Sequence, residues 1–419
     1  MNIRRPVFNN QQSYKINKIT HIFIGIDFGT SYTKVSYSYA PTKNPQINTV
    51  KWNNNFFKQS ILYLKDERLY FEKPEAEYQE VKYFKYSIIE KTLQNTRYAT
   101  KNNFEEMCCV YFLAQIIKRT LSYIIEALKL DNLEDIAISV NMGVPLENFY
   151  NGANVTNKGI FQDIIESAVV LAGGSKIRAT LPDNQVLLYS LDDIYTELLH
   201  KKAKLNWDVN VHPELAAELL LYHTSPFVPE GIYAIVDAGG GTVDMALFKK
   251  DIFNRNVSMS CLSQTVLPFG VELLEKLDSD SEDIFQQAFS KMLVKSKDSL
   301  NVDYNNQRKI PVFFLGGGAT NTWYIENIKK TRERLGQANI PELDFRQNID
   351  NFISEEKSLI EKNQRLIISQ MLAKHKAEIK DVQGFPNFYE QEKRQRTNAN
   401  NEVQALADDL YERGQKYWD

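Results

Sequence analysis

The stretch IYAIVDAGGGTVDMALFKK (232–250) decides the fold. An apolar run, Ile232 to Val236, ends in Asp237, passes Ala238 and three successive glycines, and returns through Thr242 and Asp244 into a second apolar run. Short apolar runs bounded by glycine predict strands, so the segment predicts strand, tight turn, strand. Gly239, Gly240 and Gly241 clear every side chain from the approach to the turn. Its exposed N–H groups can then close on phosphate oxygens. Thr242 adds a hydroxyl, and Asp237 and Asp244 set carboxylates at the two ends.

Working outward, the same device occurs once before, in GIDFGTSYTKVSYSY (25–39). The apolar run His21 to Ile26 breaks into Asp27, Phe28, Gly29 and Thr30, and Tyr32 to Tyr39 alternates as a paired strand does. Gly29 permits close backbone approach, while Thr30 and Ser31 offer hydroxyls. Asp27 would repel a phosphate directly, so its expected task is to hold a hydrated magnesium ion. A third apolar strand, Ile310 to Leu315, runs into Gly316, Gly317 and Gly318 before a helix starting near Trp323. That turn suits the flat part of a ligand, or a phosphate at the helix N-terminus. One strand–acidic turn–strand unit in each half reads as an internal duplication. The Gly-Lys-Ser/Thr phosphate loop and the G-x-G-x-x-G dinucleotide fingerprint are both absent.

The chain has 419 residues, 43% hydrophobic and 25% charged, enough for two or three domain-sized lobes. A formal net charge of -3 gives no field that would draw it to nucleic acid or to an anionic membrane. Cys108, Cys109 and Cys261 are too few for a disulfide framework or a closed zinc site and read as buried thiols. The N-terminal stretch lacks the apolar core of a signal peptide, and no apolar run approaches a bilayer span. A soluble protein of a bacterial cytoplasm is the expectation. Residues 1–20 read as a flexible arm and 41–95 as a mixed, aromatic-rich insertion. Helices are expected at 104–130 and at 157–172, the second closed by Gly173 and Gly174. A strand is expected at 136–140 with a loop through Gly143, Val144 and Pro145. A strand and then a helix around 213–222 fill 186–224. The stretch 266–308 reads as a small, mostly helical subdomain, and 340–419 as charged helices.

These residues resemble the actin, seventy-kilodalton heat-shock and sugar-kinase superfamily of ATPases. GIDFGTSYTKVSYSY resembles its first phosphate motif, VDAGGGTVDMALF (236–248) its second, and FLGGGAT (314–320) its adenosine motif. ISVNMGVPLENF (138–149) and VHPELAAELLLY (211–222) resemble its two connecting segments. The resemblance implies an α/β fold of two RNase H-like lobes, 21–215 and 216–419, around a cleft for ATP or ADP with Mg2+. It implies that Asp27 and Asp237 organise the water shell of the magnesium ion. Gly29, Thr30, Ser31, Tyr32, Gly239, Gly240 and Gly241 would surround the phosphates, with Gly316, Gly317 and Gly318 at the adenosine. Thr242 would contact the γ-phosphate and Asp244 would place the attacking water. Lys85, with Lys82 as its rival, is the candidate for the lysine that heat-shock chaperones bring to the γ-phosphate.

The chain also departs from that pattern. His212-Pro213 stands where the chaperones carry Glu-Pro, which predicts slow hydrolysis. The interval before the adenosine motif is short, so a reduced upper second lobe is expected, with Lys291 and Lys295 as candidate adenine contacts. The chaperones' Ser-Thr-Arg run is replaced by Gly318-Ala319-Thr320. The residues after the adenosine motif read as charged helices, so no peptide-binding domain is expected in them. The expectation is a heat-shock-like ATPase switch working with a protein partner or by self-association. The alternatives are a filament-forming bacterial actin relative and a small-molecule kinase.

Overall fold

Two sheets with one strand order and one set of directions carry the molecule. The computed structural model describes residues 19–40, 47–75, 77–93, 103–133, 135–145, 157–175, 184–201, 205–224, 228–253, 256–276, 280–299, 309–335, 342–346 and 365–375. The arm expected at 1–20 and most of 340–419 lie outside these residues.

The first sheet starts with β1 (His21–Phe28) and β2 (Tyr32–Ala40), an antiparallel hairpin. The short β3 (Asn48–Thr49) and β4 (Lys58–Gln59) add to β2. Three more strands follow: β5 (Leu62–Lys65), β6 (Arg68–Tyr70) and β7 (Gln79–Val81). Helices α1 (Phe84–Leu93) and α2 (Phe104–Leu128) lead to β8 (Ala137–Val144), parallel to β1. After α3 (Asn157–Leu171), β9 (Gln185–Leu187) and α4 (Leu188–Lys201), β10 (Asp208–Pro213) pairs parallel to β8. The order is β10-β8-β1-β2-β3, and β5, β6, β7 and β9 form a small separate antiparallel sheet.

The second half begins with α5 (Glu214–Thr224), then β11 (Gly231–Ala238), β12 (Val243–Phe253) and β13 (Asn256–Leu267), a continuous antiparallel meander. Helix α6 (Ser281–Ser299) precedes β14 (Lys309–Leu315), parallel to β11. After α7 (Thr322–Arg334), β15 (Glu342–Arg346) pairs parallel to β14, and α8 (Ile367–Leu372) follows. The order β13-β12-β11-β14-β15 repeats the first sheet strand for strand. The chain is thus α/β, and the duplication read from the two hairpins extends to five strands in each half.

Strand alternation sets the layers. Ile22, Ile24, Ile26 and Phe28 of β1 join the core beneath α2 and α3, so Phe23, Gly25 and Asp27 point the other way. In β11, Ile232, Ala234, Val236 and Ala238 join the core under α6 and α7, while Tyr233 and Ile235 face α5 and α8. Helices α5 and α8 therefore form a shared middle layer, α8 resting on β1, β2, β8 and α5. Asp27 and Asp237, both at strand ends, turn towards that layer.

Helix α2 is long and apolar enough to cross a bilayer, contrary to the sequence expectation. Here it is the core helix of the first half, buried from Met107 through Ile117. Its thiols Cys108 and Cys109 are buried, as is Cys261. Three further expectations are corrected. Gly143 and Val144 are strand, not loop, because β8 is hydrogen-bonded on both edges. The expected strand-plus-helix at 186–224 holds two helices, α4 and α5. Residues 342–346, expected helical, form the edge strand beside β14.

Candidate functional site

The three glycine turns meet in one cleft between the sheets. Asp27, Gly29, Thr30, Ser31 and Tyr32 line it from the first half. Asp237, Gly239, Gly240, Thr242, Asp244, Gly316 and Gly317 line it from the second. The first two turns touch: a Cβ on Gly240 would fall on Ser31 Oγ, and one on Gly241 would stand 3.1 Å from Thr30 Oγ1. Glycine is required at Gly240 by this close approach and at Gly316 by a φ of +76°.

Each turn is fixed locally. Ser60 N donates to Ser31 O at 2.9 Å, and Ser60 Oγ donates to Gly29 O at 2.8 Å. In the second turn Gly239 N donates to Thr242 O at 2.9 Å. Val271 N and Glu272 N clamp the same turn through Gly239 O and Gly240 O, at 2.9 and 3.0 Å. Thr242 Oγ1 donates to Asp244 Oδ2 at 3.2 Å. Gly318 N is spent on Ala238 O at 2.8 Å, and the N-terminus of α7 is capped by Asn321 Oδ1 accepting from Trp323 N at 2.9 Å. Gly241 and Gly318 are not among the lining residues, and Trp323 N at the α7 terminus is bonded to Asn321.

Lys85 enters the cleft from α1. Its side chain is 3% exposed, its Nζ donates to Phe28 O, and it pairs with Glu214 Oε1 at 2.8 Å. Lys82, the rival, is half exposed and pairs with Glu80 at 2.5 Å. His212 is buried on β10 opposite Gly143 and does not line the cleft. Two residues on, Glu214 is the first residue of α5 and lines the cleft. One turn later Glu218 lies on the same helix face. It is buried, lines the cleft and shares a hydrogen bond with Asp237. Lys291 is exposed on α6 and is not among the lining residues; the side chain of Lys295 lies outside the described residues.

The hairpin registers give the two ends opposite character. Asp27 faces Lys34 across the first hairpin, with Lys34 Nζ 2.6 Å from Asp27 Oδ2. At the matching place Asp237 faces Asp244. Like charges directly opposite in a sheet repel. Burial pushes the Asp237 carboxyl up to about 6, with the nearby Glu214 charge adding to it. Burial also raises Asp244, Glu218 and Glu214, although Lys85 pulls Glu214 back. Ser31 Oγ, Glu218 Oε2, Asp237 Oδ1 and Asp244 Oδ1 are buried with no hydrogen-bond partner. Crowded, unsatisfied acids beside open glycine turns fit a cation and the oxygens of a polyanion. Among the described residues no three His, Cys, Asp or Glu converge as direct metal ligands. A magnesium ion at Asp27 and Asp237 would be held through its water shell, the mode such ions favour.

No known protein-family model matches this chain, and no curated protein matches it.

Glu214, Glu218 and Glu272 line the cleft without having been singled out in the sequence, and Lys34 lines it with them. The signal for the first two was present: acids four residues apart on the otherwise apolar PELAAELLLY helix. Lys34 follows from counting back across the hairpin from Asp27. Arg365, also in the lining, carried no local signal.

Proposed function

We propose that this chain is an ATP-binding, ATP-hydrolysing conformational switch of the actin-like ATPase fold, with two RNase H-like lobes and magnesium nucleotide between them. One observation carries the reading: two equivalent hairpins, one in each sheet of the same strand order, bring Asp27 and Asp237 to a single cleft where Ser31 meets Gly240. Ligands of open α/β sheets sit at the carboxyl ends of the strands, where both aspartates lie.

On this reading Gly29 to Tyr32 and Gly239 to Gly240 surround the phosphate chain, and Gly316 and Gly317 meet the nucleoside. Magnesium, when bound, offsets the phosphate charge. Lys85 leaves Glu214 for the γ-phosphate, which frees the Glu214 carboxylate to accept a proton from water, while Thr242 and Asp244 orient that water. Glu214 thus restores the carboxylate whose absence at His212 argued against hydrolysis. Because Lys85 and Glu214 must first part, turnover is expected below about one per second, at the low edge of enzyme rates. Closure of the lobes around ATP and reopening after hydrolysis would be the signal read by a protein partner or another copy.

Phosphate release from ATP by the pure chain, with and without magnesium and with no acceptor, tests the reading. Slow magnesium-dependent release supports it. ADP formed only when a sugar or acetate is added, with the phosphoryl group on that acceptor and no free phosphate, would make the chain a kinase, and no release under any condition would remove the hydrolytic reading. Sedimentation with ATP, ADP and no nucleotide separates self-association from a monomeric switch.

A further inference from the structure

Three cations line the cleft, and two are already neutralised. Lys34 lies 2.6 Å from Asp27, and Lys85 2.8 Å from Glu214. Arg365 differs. Among the described residues it makes no ion pair and no hydrogen bond, and its Nε is buried with no partner. Its guanidinium lies over the ring of Phe57 at 4.3 Å and that of Tyr32 at 5.6 Å, measured to the centroids. Nη2 lies 3.8 Å from where a Cβ on Gly317 would stand. Arg365 is thus held between the first phosphate turn and the third glycine turn.

Its position is anchored from behind. The segment that carries it, ending in α8, is bound to the first sheet through backbone acceptors. Asn141 Nδ2 donates to Leu372 O at 2.8 Å and to Lys374 O at 3.0 Å, and Ser38 Oγ donates to Ala373 O at 2.6 Å. Ser36 Oγ and Ser369 Oγ share a hydrogen bond of 3.0 Å. The segment crosses β1 at Gly25, where any Cβ would fall on Ser369 O and Ala373 N.

A guanidinium cannot shed its charge, and a partly buried one without a partner is costly. Nε and Nη2 form one edge of the guanidinium fork, the edge that takes an oxyanion with two parallel hydrogen bonds. The rings of Phe57 and Tyr32 offer that edge no hydrogen-bond acceptor, so its N–H groups keep no partner among the described residues. We infer that Arg365 is a second phosphate-binding cation of this cleft beside Lys85, donating through Nε and Nη2 to the phosphate chain beside Gly317. The inference rests on the nucleotide reading above and adds to it the residue and the chemical group recognised.

Calorimetric titration of the full chain with ATP, ADP and adenosine, and of Arg365→Gln and Arg365→Lys, tests it. Loss of a charge-assisted contact should weaken ATP and ADP about 10- to 100-fold in Arg365→Gln. Adenosine should bind that variant as it binds the unmodified chain. Arg365→Lys keeps a cation over the rings but not the fork, and should recover part of the loss. Ligand-free melting of both variants controls for folding; if the glutamine variant does not fold, the lysine variant alone must still show the selective loss. Unchanged ATP affinity in the variants would overturn the inference and leave the nucleotide reading standing. An equal loss for adenosine would do the same, since it would place the contact at the nucleoside. Failure of the unmodified chain to bind ATP would overturn the nucleotide reading, and this inference with it.

Discussion

Lys85→Met removes one member of a buried ion pair, and its cost can be worked from the structure. Lys85 Nζ and Glu214 Oε1 are 2.8 Å apart, with side chains 3% and 11% exposed. Breaking such a pair from one side leaves an uncompensated buried charge, which costs about 3–5 kcal/mol. Glu214 would then sit near Asp27 with only Lys34 as a weaker counter-charge. Burial already raises its carboxyl, and loss of Lys85 removes the group that holds it down. The variant's Glu214 therefore takes up a proton more readily, so the cost should shrink as pH falls. We expect about 3 kcal/mol at pH 7.5 and less at pH 5.5. Glu214→Gln should cost less, because Lys85 keeps Phe28 O as an acceptor. The double variant Lys85→Met/Glu214→Gln should be more stable than Lys85→Met alone, a coupling of at least about 1 kcal/mol. Denaturant unfolding of the four proteins at the two pH values measures every term. Strictly additive effects, or a Lys85→Met cost that does not fall with pH, would refute the reasoning.

Gly25→Ala should lower unfolding free energy by about 1–3 kcal/mol, since the new methyl meets the backbone of the α8 segment rather than a movable side chain; denaturant unfolding that matches the unmodified chain would contradict this. The ligand-free chain should lose stability as pH rises from 5 to 7. Asp237 binds its proton more tightly when folded, with a pKa near 6 against an ordinary 3.8, so its share is present at low pH and is lost as pH rises towards and through 6. That share is at most about 3 kcal/mol. Asp237→Asn should flatten the slope, and unfolding curves at pH 5, 6 and 7 that show the reverse trend would count against the buried acid cluster.

The two hairpins were legible because each pairs apolar runs around a glycine turn. The facing of Asp27 and Asp237 follows from the same alternation: each lies at an odd step from core residues such as Ile26 and Val236. Attention to the residue before Pro213 hid Glu214 immediately after it. Position 212 belongs to β10 and is paired with Gly143, whereas position 214 opens α5 and turns into the cleft. The strand β13 was not legible, because VSMSCLSQTV mixes serines into both faces of what is the edge strand of the meander. The strand β15 has no local pattern of its own and owes its form to the edge of β14. Arg365 comes to the cleft through contacts more than 200 residues apart in sequence, such as Ser36 with Ser369 and Asn141 with Leu372, whose separations are 333 and 231. No local pattern encodes such a placement. It is a tertiary fact.

The central claim is that one magnesium nucleotide occupies the cleft where Ser31 meets Gly240. Titration of ATP into the chain and into Gly240→Val, each with and without magnesium, tests it most directly. At this point a branched side chain would fill the space of Ser31 Oγ and, if the proposal holds, that of the phosphates. The account predicts one ATP per unmodified chain, tighter with magnesium, and no measurable binding in a Gly240→Val protein that still melts cooperatively. Equal ATP binding by the two proteins, or none by the unmodified chain, would contradict it.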